Sequence, residues 1–112
     1  MPLAALLRSA DLATTRRFYE SVLGFTVMDS AEGTLTVERW GGKLIFTSLD
    51  LWNRPAGFSG TLYFSVPDVE AFYGQVKDKA PVAWPLEKMP YGSYEFGVVD
   101  CDGYTLAFQQ QG

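Results

Sequence analysis

The hydrophobic pattern is sharpest at Thr61–Val66, where Leu62, Phe64 and Val66 alternate with Thr61, Tyr63 and Ser65. A period of two with one apolar side predicts a strand with two different faces. Pro67-Asp68 then signals a helix start, and Val69, Phe72, Tyr73 and Val76 follow as its apolar stripe. Pro81–Trp84 predicts a short strand, Met89-Pro90-Tyr91-Gly92 a turn, and Tyr94–Val99 another strand. Asp100-Cys101-Asp102-Gly103 is a further turn, leading to a last strand at Tyr104–Gln109.

The first half follows the same scheme. An apolar stretch over residues 3–8 meets Ser9-Ala10-Asp11, with Asp11 as the expected N-cap. Leu12, Thr15, Tyr19 and Val22–Leu23 recur at helical spacing beside Phe18, and Gly24 ends the helix. Arg16 and Glu20 stand four apart, the spacing of an ion pair on an exposed helix face. Three strands are predicted at Phe25–Asp29, Thr34–Arg39 and Lys43–Leu49, separated by turns at Glu32-Gly33 and Gly41-Gly42. Asp50–Gly60, carrying Asn53, Pro55 and Gly57, reads as a loop. The order is β-α-β-β-β twice. Aligning Asp11 with Asp68 sets Leu12 over Val69, Thr15 over Phe72 and Tyr19 over Val76, which points to an internal duplication. The expectation is one α+β domain over residues 1–112, with unit one at about 1–50 and unit two at about 60–112.

Composition narrows the chemistry. Histidine is absent, which removes imidazole bases, Ser-His and Cys-His pairs and imidazole metal ligands. Cys101 is the single cysteine, so neither an intrachain disulfide nor a thiolate cluster can form. The net charge is −4 with no basic run, which argues against nucleic acid as a partner. No apolar run reaches the roughly 20 residues of a membrane span, and no basic region precedes the apolar N-terminus as in a signal peptide. A cytoplasmic protein without a membrane partner is expected.

Two runs then carry a resemblance. Asp11-Leu12 followed by Phe18-Tyr19-Glu20-Ser21-Val22-Leu23-Gly24-Phe25 is one, and Tyr91-Gly92, Glu95-Phe96 and Asp100-Cys101-Asp102-Gly103-Tyr104 the other. They resemble motifs of the vicinal-oxygen-chelate superfamily of glyoxalase, bleomycin-resistance and dioxygenase proteins, in particular its bleomycin-resistance-like branch. The resemblance implies two βαβββ units whose strands curl into a half-open mixed sheet around a cavity, in a homodimer. It also places the metal ligands of metal-dependent members at Ala4, near Phe46, at Thr61 and at Ala107. None of these is a strong donor for a divalent metal, so no metal and no cofactor is expected. Cys101 stands where the motif has proline and is read as a plain turn residue.

Given these cavity positions, strand alternation supplies the rest of the wall. Leu6 and Arg8 share a face with Ala4, Tyr63 and Ser65 with Thr61, and Thr105 and Gln109 with Ala107. Glu95, Gly97 and Val99 are expected to point inward on their strand, and Leu44 and Phe46 on theirs. Trp52, with Phe58 nearby, is the tryptophan best placed to meet a ligand, and the resemblance puts that loop and the Tyr91 turn beside a groove between subunits. Trp40 and Trp84 are left without a role. Arg8 and Glu95 are read as paired with each other, reaching water, or meeting a ligand.

The reading is a metal-independent protein that binds or sequesters a small antibiotic-like, aromatic or cationic molecule. Two alternatives stay open: a glyoxalase- or dioxygenase-like enzyme working from another site, and a scaffold or regulatory protein with a vestigial cavity.

Overall fold

Each predicted helix begins at its aspartate. The computed structural model of the chain describes residues 4–31, 33–53 and 59–112. Phe58, with Pro55 and Gly57 of the central loop and Glu32 of the first turn, lies outside the described residues. The chain divides into two compact units, Met1–Phe58 and Ser59–Gly112.

In the first unit β1 (Ala4–Arg8) leads to α1 (Leu12–Arg17), then to β2 (Thr26–Asp29), β3 (Thr34–Arg39) and β4 (Gly42–Thr47). The Asp11 carboxylate accepts from the backbone N–H groups of Ala13 and Thr14, which would otherwise lack partners at the helix start. After Arg17 the coil widens into a π-turn over Phe18–Val22, where Leu23 N–H donates to the Phe18 carbonyl at 3.2 Å. The expected Arg16–Glu20 pair is replaced by an ion pair between Arg16 and Asp29. Gly24, at φ +72°, closes the segment, and the Arg39 guanidinium caps it by donating to the Leu23 carbonyl at 2.7 Å. A hairpin turn at Trp40-Gly41 joins β3 and β4; both residues have positive φ, the conformation that matches strand twist in a two-residue loop.

The second unit repeats the plan with β5 (Thr61–Val66), α2 (Val69–Val76), β6 (Val82–Lys88), β7 (Tyr94–Val99) and β8 (Thr105–Gln110). The sheet orders are β1-β4-β3-β2 and β5-β8-β7-β6. In each, the unit's first strand runs parallel to its last, and the remaining pairs are antiparallel. The two sheets are mixed and the fold is α+β. β6 extends four residues beyond the predicted Trp84, through Pro85. It is an edge strand with register shifts on either side of Trp84, so a residue lacking an N–H is accommodated.

One face of each sheet is covered by its helix. In the first unit Tyr19, Leu23 and Phe25 lie against Leu35, Val37, Leu44 and Phe46, all buried. In the second, Phe72 packs on Phe96 and Phe108 with ring centroids 5.8 and 4.9 Å apart, and Val69 and Val76 are fully buried. Each such side chain removed from water contributes about 1.5–3 kcal/mol. These cores leave the opposite face of each sheet for other work.

Candidate functional site

The helix-free face of the second sheet follows from the register. Tyr63 on β5 stands opposite Ala107 on β8, which stands opposite Gly97 on β7, which pairs with Trp84 on β6. One step along, Ser65, Gln109 and Glu95 form a second row, continued on β6 by Glu87. The face therefore brings together Thr61, Tyr63, Ala107 and Glu95. Trp84 has a definite place in it. A Cβ added at Gly97 would lie 2.6–2.7 Å from three ring atoms of the indole, so the ring rests flat on bare backbone. A glycine inside a strand is a mark of such a close approach. That glycine was the available sign of Trp84's position.

Glu95 is the chemical centre of this face. It is 0% exposed, yet neither carboxylate oxygen has a hydrogen-bond partner among the described residues. The indole N–H of Trp84 is likewise buried and unpartnered. Nearby polar groups are occupied among themselves: Ser93 Oγ donates to Gln109 Oε1 at 3.3 Å, and Gln109 Nε2 to Ser65 Oγ at 3.4 Å. Tyr91 stands in the β6–β7 turn, closed by Gly92 N–H to the Met89 carbonyl at 2.9 Å with Pro90 between. Tyr63 and Tyr91 are 50% and 66% exposed, so two aromatic rings front the buried acid. The Tyr91 hydroxyl is pushed well above the usual phenol pKa, first by its hydrogen bond with Tyr63, then by burial of the hydroxyl and by Glu95. The Tyr91 hydroxyl is therefore the polar group that faces the Glu95 carboxylate, as a hydrogen-bonding and electrostatic neighbour that falls short of strict hydrogen-bond geometry. A raised phenol remains a neutral donor at physiological pH and is no base.

The first sheet's helix-free face carries Ala4, Leu6 and Arg8 on β1 with Lys43, Ile45 and Thr47 on β4. Leu6 is exposed, and Arg8 lies 3.8 Å from Asp50 in an ion pair rather than meeting Glu95. The expectation that Leu44 and Phe46 point the same way is corrected. Leu44 pairs with Ala5 and Val37, and Phe46 with Leu7 and Leu35, so both turn into the helix-covered core. Phe46 is fully buried, 5.3 Å from the Tyr19 ring. The error is one of register: a shift of one residue exchanges the two faces, and an all-apolar run does not say which face is which. Trp52 is half-exposed beside exposed Leu49 and Leu51, and its backbone N–H donates to Asp50 Oδ1 at 3.2 Å.

A profile of the Glyoxalase/Bleomycin resistance protein/Dioxygenase superfamily matches residues 3–108. The chain belongs to this superfamily. Three solved structures illustrate the shared fold of the superfamily. A bleomycin resistance determinant encoded on the transposon Tn5 is 25% identical, with a TM-score of 0.74 over 97% of this chain and 96% of that one. TioX from Micromonospora sp. ML1 is 16% identical, with a TM-score of 0.80 over 98% of each chain. A glyoxalase/bleomycin resistance protein/dioxygenase from Alicyclobacillus acidocaldarius is 18% identical, with a TM-score of 0.79 over 98% of this chain and 90% of that one. A comparison with curated protein sequences finds no match.

The residues at the superfamily's metal positions do not fit a divalent ion. Ala4 and Ala107 offer no donor atom, and Thr61 offers a neutral hydroxyl. The β4 residues sharing the face of Ala4 are Lys43, Ile45 and Thr47, of which Lys43 is a cation. Among the described residues no three Asp, Glu or Cys side chains gather as a metal site. Asp100 is engaged elsewhere: its Oδ1 accepts from the N–H groups of Asp102 and Tyr104, both at 2.9 Å, and shapes the turn. Cys101 is exposed in that turn. No helix among the described residues is long and apolar enough to cross a membrane.

Proposed function

We propose that this superfamily member binds a small organic molecule, of antibiotic-like, aromatic or cationic type, without a metal and without transforming it. The observation that carries the reading is the helix-free face of the second sheet. There, two exposed phenol rings and an indole share a face with a fully buried carboxylate. Such a face offers apolar area and a few fixed polar groups, the ingredients of recognition. A raised Tyr91 phenol donates hydrogen bonds but abstracts no proton. The superfamily match, which spans both units, supports reading them as halves of one domain. A homodimer in the cytoplasm completes the proposal, and sedimentation equilibrium measures the dimer.

The test is a titration of intrinsic fluorescence with glycopeptides of bleomycin type, phenazines, quinones and planar cations. Metal analysis of the purified protein accompanies it. Saturable quenching by one class with no stoichiometric metal is the expected result. A bound metal at one equivalent overturns the metal-independent reading, and silence across the panel overturns binding. Trp52→Ala then reports whether the central loop contributes: retained quenching removes Trp52 from the site.

A further inference from the structure

Glu95 poses a physical problem that its unit answers only in part, with the exposed Tyr91 hydroxyl. A carboxylate taken wholly out of water needs a cation or several donors to offset its lost hydration. Two of the unit's three cations, Lys77 and Lys88, are placed elsewhere. Lys88 pairs in register with Tyr94, one residue off the Glu95 row and so on the other face, and the Lys77 ammonium sits 5.8 Å from the Tyr73 ring. No ion pair among the described residues includes Glu95. Its cross-strand neighbour makes matters worse: Glu87 stands opposite Glu95 on β6, and like charges in directly opposed positions repel. Two acidic residues side by side, one of them buried, create a local field that a cation relieves.

The surroundings narrow the kind of cation. Tyr63 and Tyr91 present half-exposed or better rings at the approach to Glu95. Ring faces attract ammonium and guanidinium groups and also pack against a flat apolar body. The buried indole N–H of Trp84 lacks an acceptor, so an oxygen or nitrogen on the same ligand would satisfy it. A bare metal ion would use none of these rings.

Resting on the small-molecule reading above, we propose that the second sheet's helix-free face selects an organic ammonium ion attached to an aromatic body. Its N–H donors pair with the buried Glu95 carboxylate, Glu87 adds the second negative charge, and the rings of Tyr63 and Tyr91 flank it. Tyr91, the more exposed of the two tyrosines and placed at a hairpin tip, is the side chain a ligand displaces on entry.

The experiment compares naphthylmethylammonium with its neutral isostere naphthylmethanol by calorimetry and by proton–nitrogen shift mapping. The ammonium binds at least about tenfold more tightly than the alcohol and moves the Glu95 and Gly97 amides and the Trp84 indole signal. Glu95→Gln, which keeps the side chain's size and its ability to accept from the Tyr91 hydroxyl, abolishes the preference and leaves the alcohol's affinity in place. Glu87→Gln, at an exposed position, reduces the preference by a smaller factor. Equal affinity for the two probes, or a preference that survives Glu95→Gln, overturns the proposal while leaving small-molecule binding intact. If neither probe binds but another class in the broader panel does, the cation assignment alone fails. If nothing binds, both readings fail.

Discussion

Replacing Gly97 by alanine tests whether Trp84 rests on the bare backbone of β7. The added methyl would meet three indole atoms at 2.6–2.7 Å, where ordinary contact begins at 3.4 Å, so the ring must retreat by about 0.7 Å. The indole is rigid and cannot fold aside. Overpacking of this kind costs about 1–3 kcal/mol. Against it stands a gain of about 0.5–1 kcal/mol from restricting the unfolded chain when glycine leaves a strand interior. Gly97→Ala should therefore destabilise the protein by up to about 2 kcal/mol, with Tm falling by about 4–8 °C for each kcal/mol lost. In a Trp84→Leu background the clash is gone, and the same substitution should be neutral or slightly stabilising. The difference between the two backgrounds is a coupling energy of about 1–3 kcal/mol, obtained from a double-mutant cycle of urea unfolding followed by far-ultraviolet circular dichroism. That probe does not depend on the tryptophan being removed. A coupling below about 0.5 kcal/mol would refute the contact, since sites that far from interaction simply add.

Three further outcomes are expected. Asp100→Ala takes away the acceptor of two backbone N–H groups in the β7–β8 turn and should cost about 2–4 kcal/mol, whereas Asp100→Asn keeps one oxygen and most of the stability; thermal unfolding measures both. Glu95→Met removes an unpartnered buried carboxylate at nearly constant volume and should raise stability by about 1–3 kcal/mol in urea, and a loss instead would mean that the carboxylate has a partner in the folded protein. The Asp11 carboxyl is held below its usual pKa of 3.8 by the Thr14 hydroxyl first and then by the Thr14 and Ala13 N–H groups. A depressed folded-state value supplies stability above the unfolded pKa that is lost as pH falls, so Tm should decline from about pH 5 towards pH 2, less steeply in Thr14→Val.

How much of this was readable in the chain depends on what kind of signal each feature leaves. Helix starts leave a chemical one: Asp11 and Asp68 are the caps, because a short carboxylate there satisfies N–H groups that nothing else reaches. The alternating strand at Thr61–Val66 is likewise found with its predicted ends, since its two faces meet different surroundings. The β4 run Lys43-Leu44-Ile45-Phe46 gives no such contrast, and its face was misassigned by one residue. Nor could spacing foresee the π-turn after Arg17, which inserts no special residue, or the pairing of Arg16 with Asp29. The extent of β6 was hidden by Pro85, whose usual meaning as a strand breaker lapses at an edge. Trp84 left its trace on another strand altogether, in the glycine it covers.

Strand alternation put Glu95 on the inward face from the sequence, but its burial without a cation among the described residues was not legible there. Glu95 sits between Tyr94 and Phe96 in a strand whose interior is buried on both faces, so alternation gives its face but not how fully it is buried. Its significance comes from what the fold withholds: the adjacent Ser65, Gln109 and Ser93 bond one another, and the opposed residue on β6 is another acid. A sequence selected for stability alone would place a methionine or leucine there at a gain of stability. Keeping an uncompensated acid under two tyrosine rings makes sense where the missing partner arrives from outside the chain, which is why the stability of Glu95→Met and the ligand selectivity of Glu95→Gln are two measurements of the same thing.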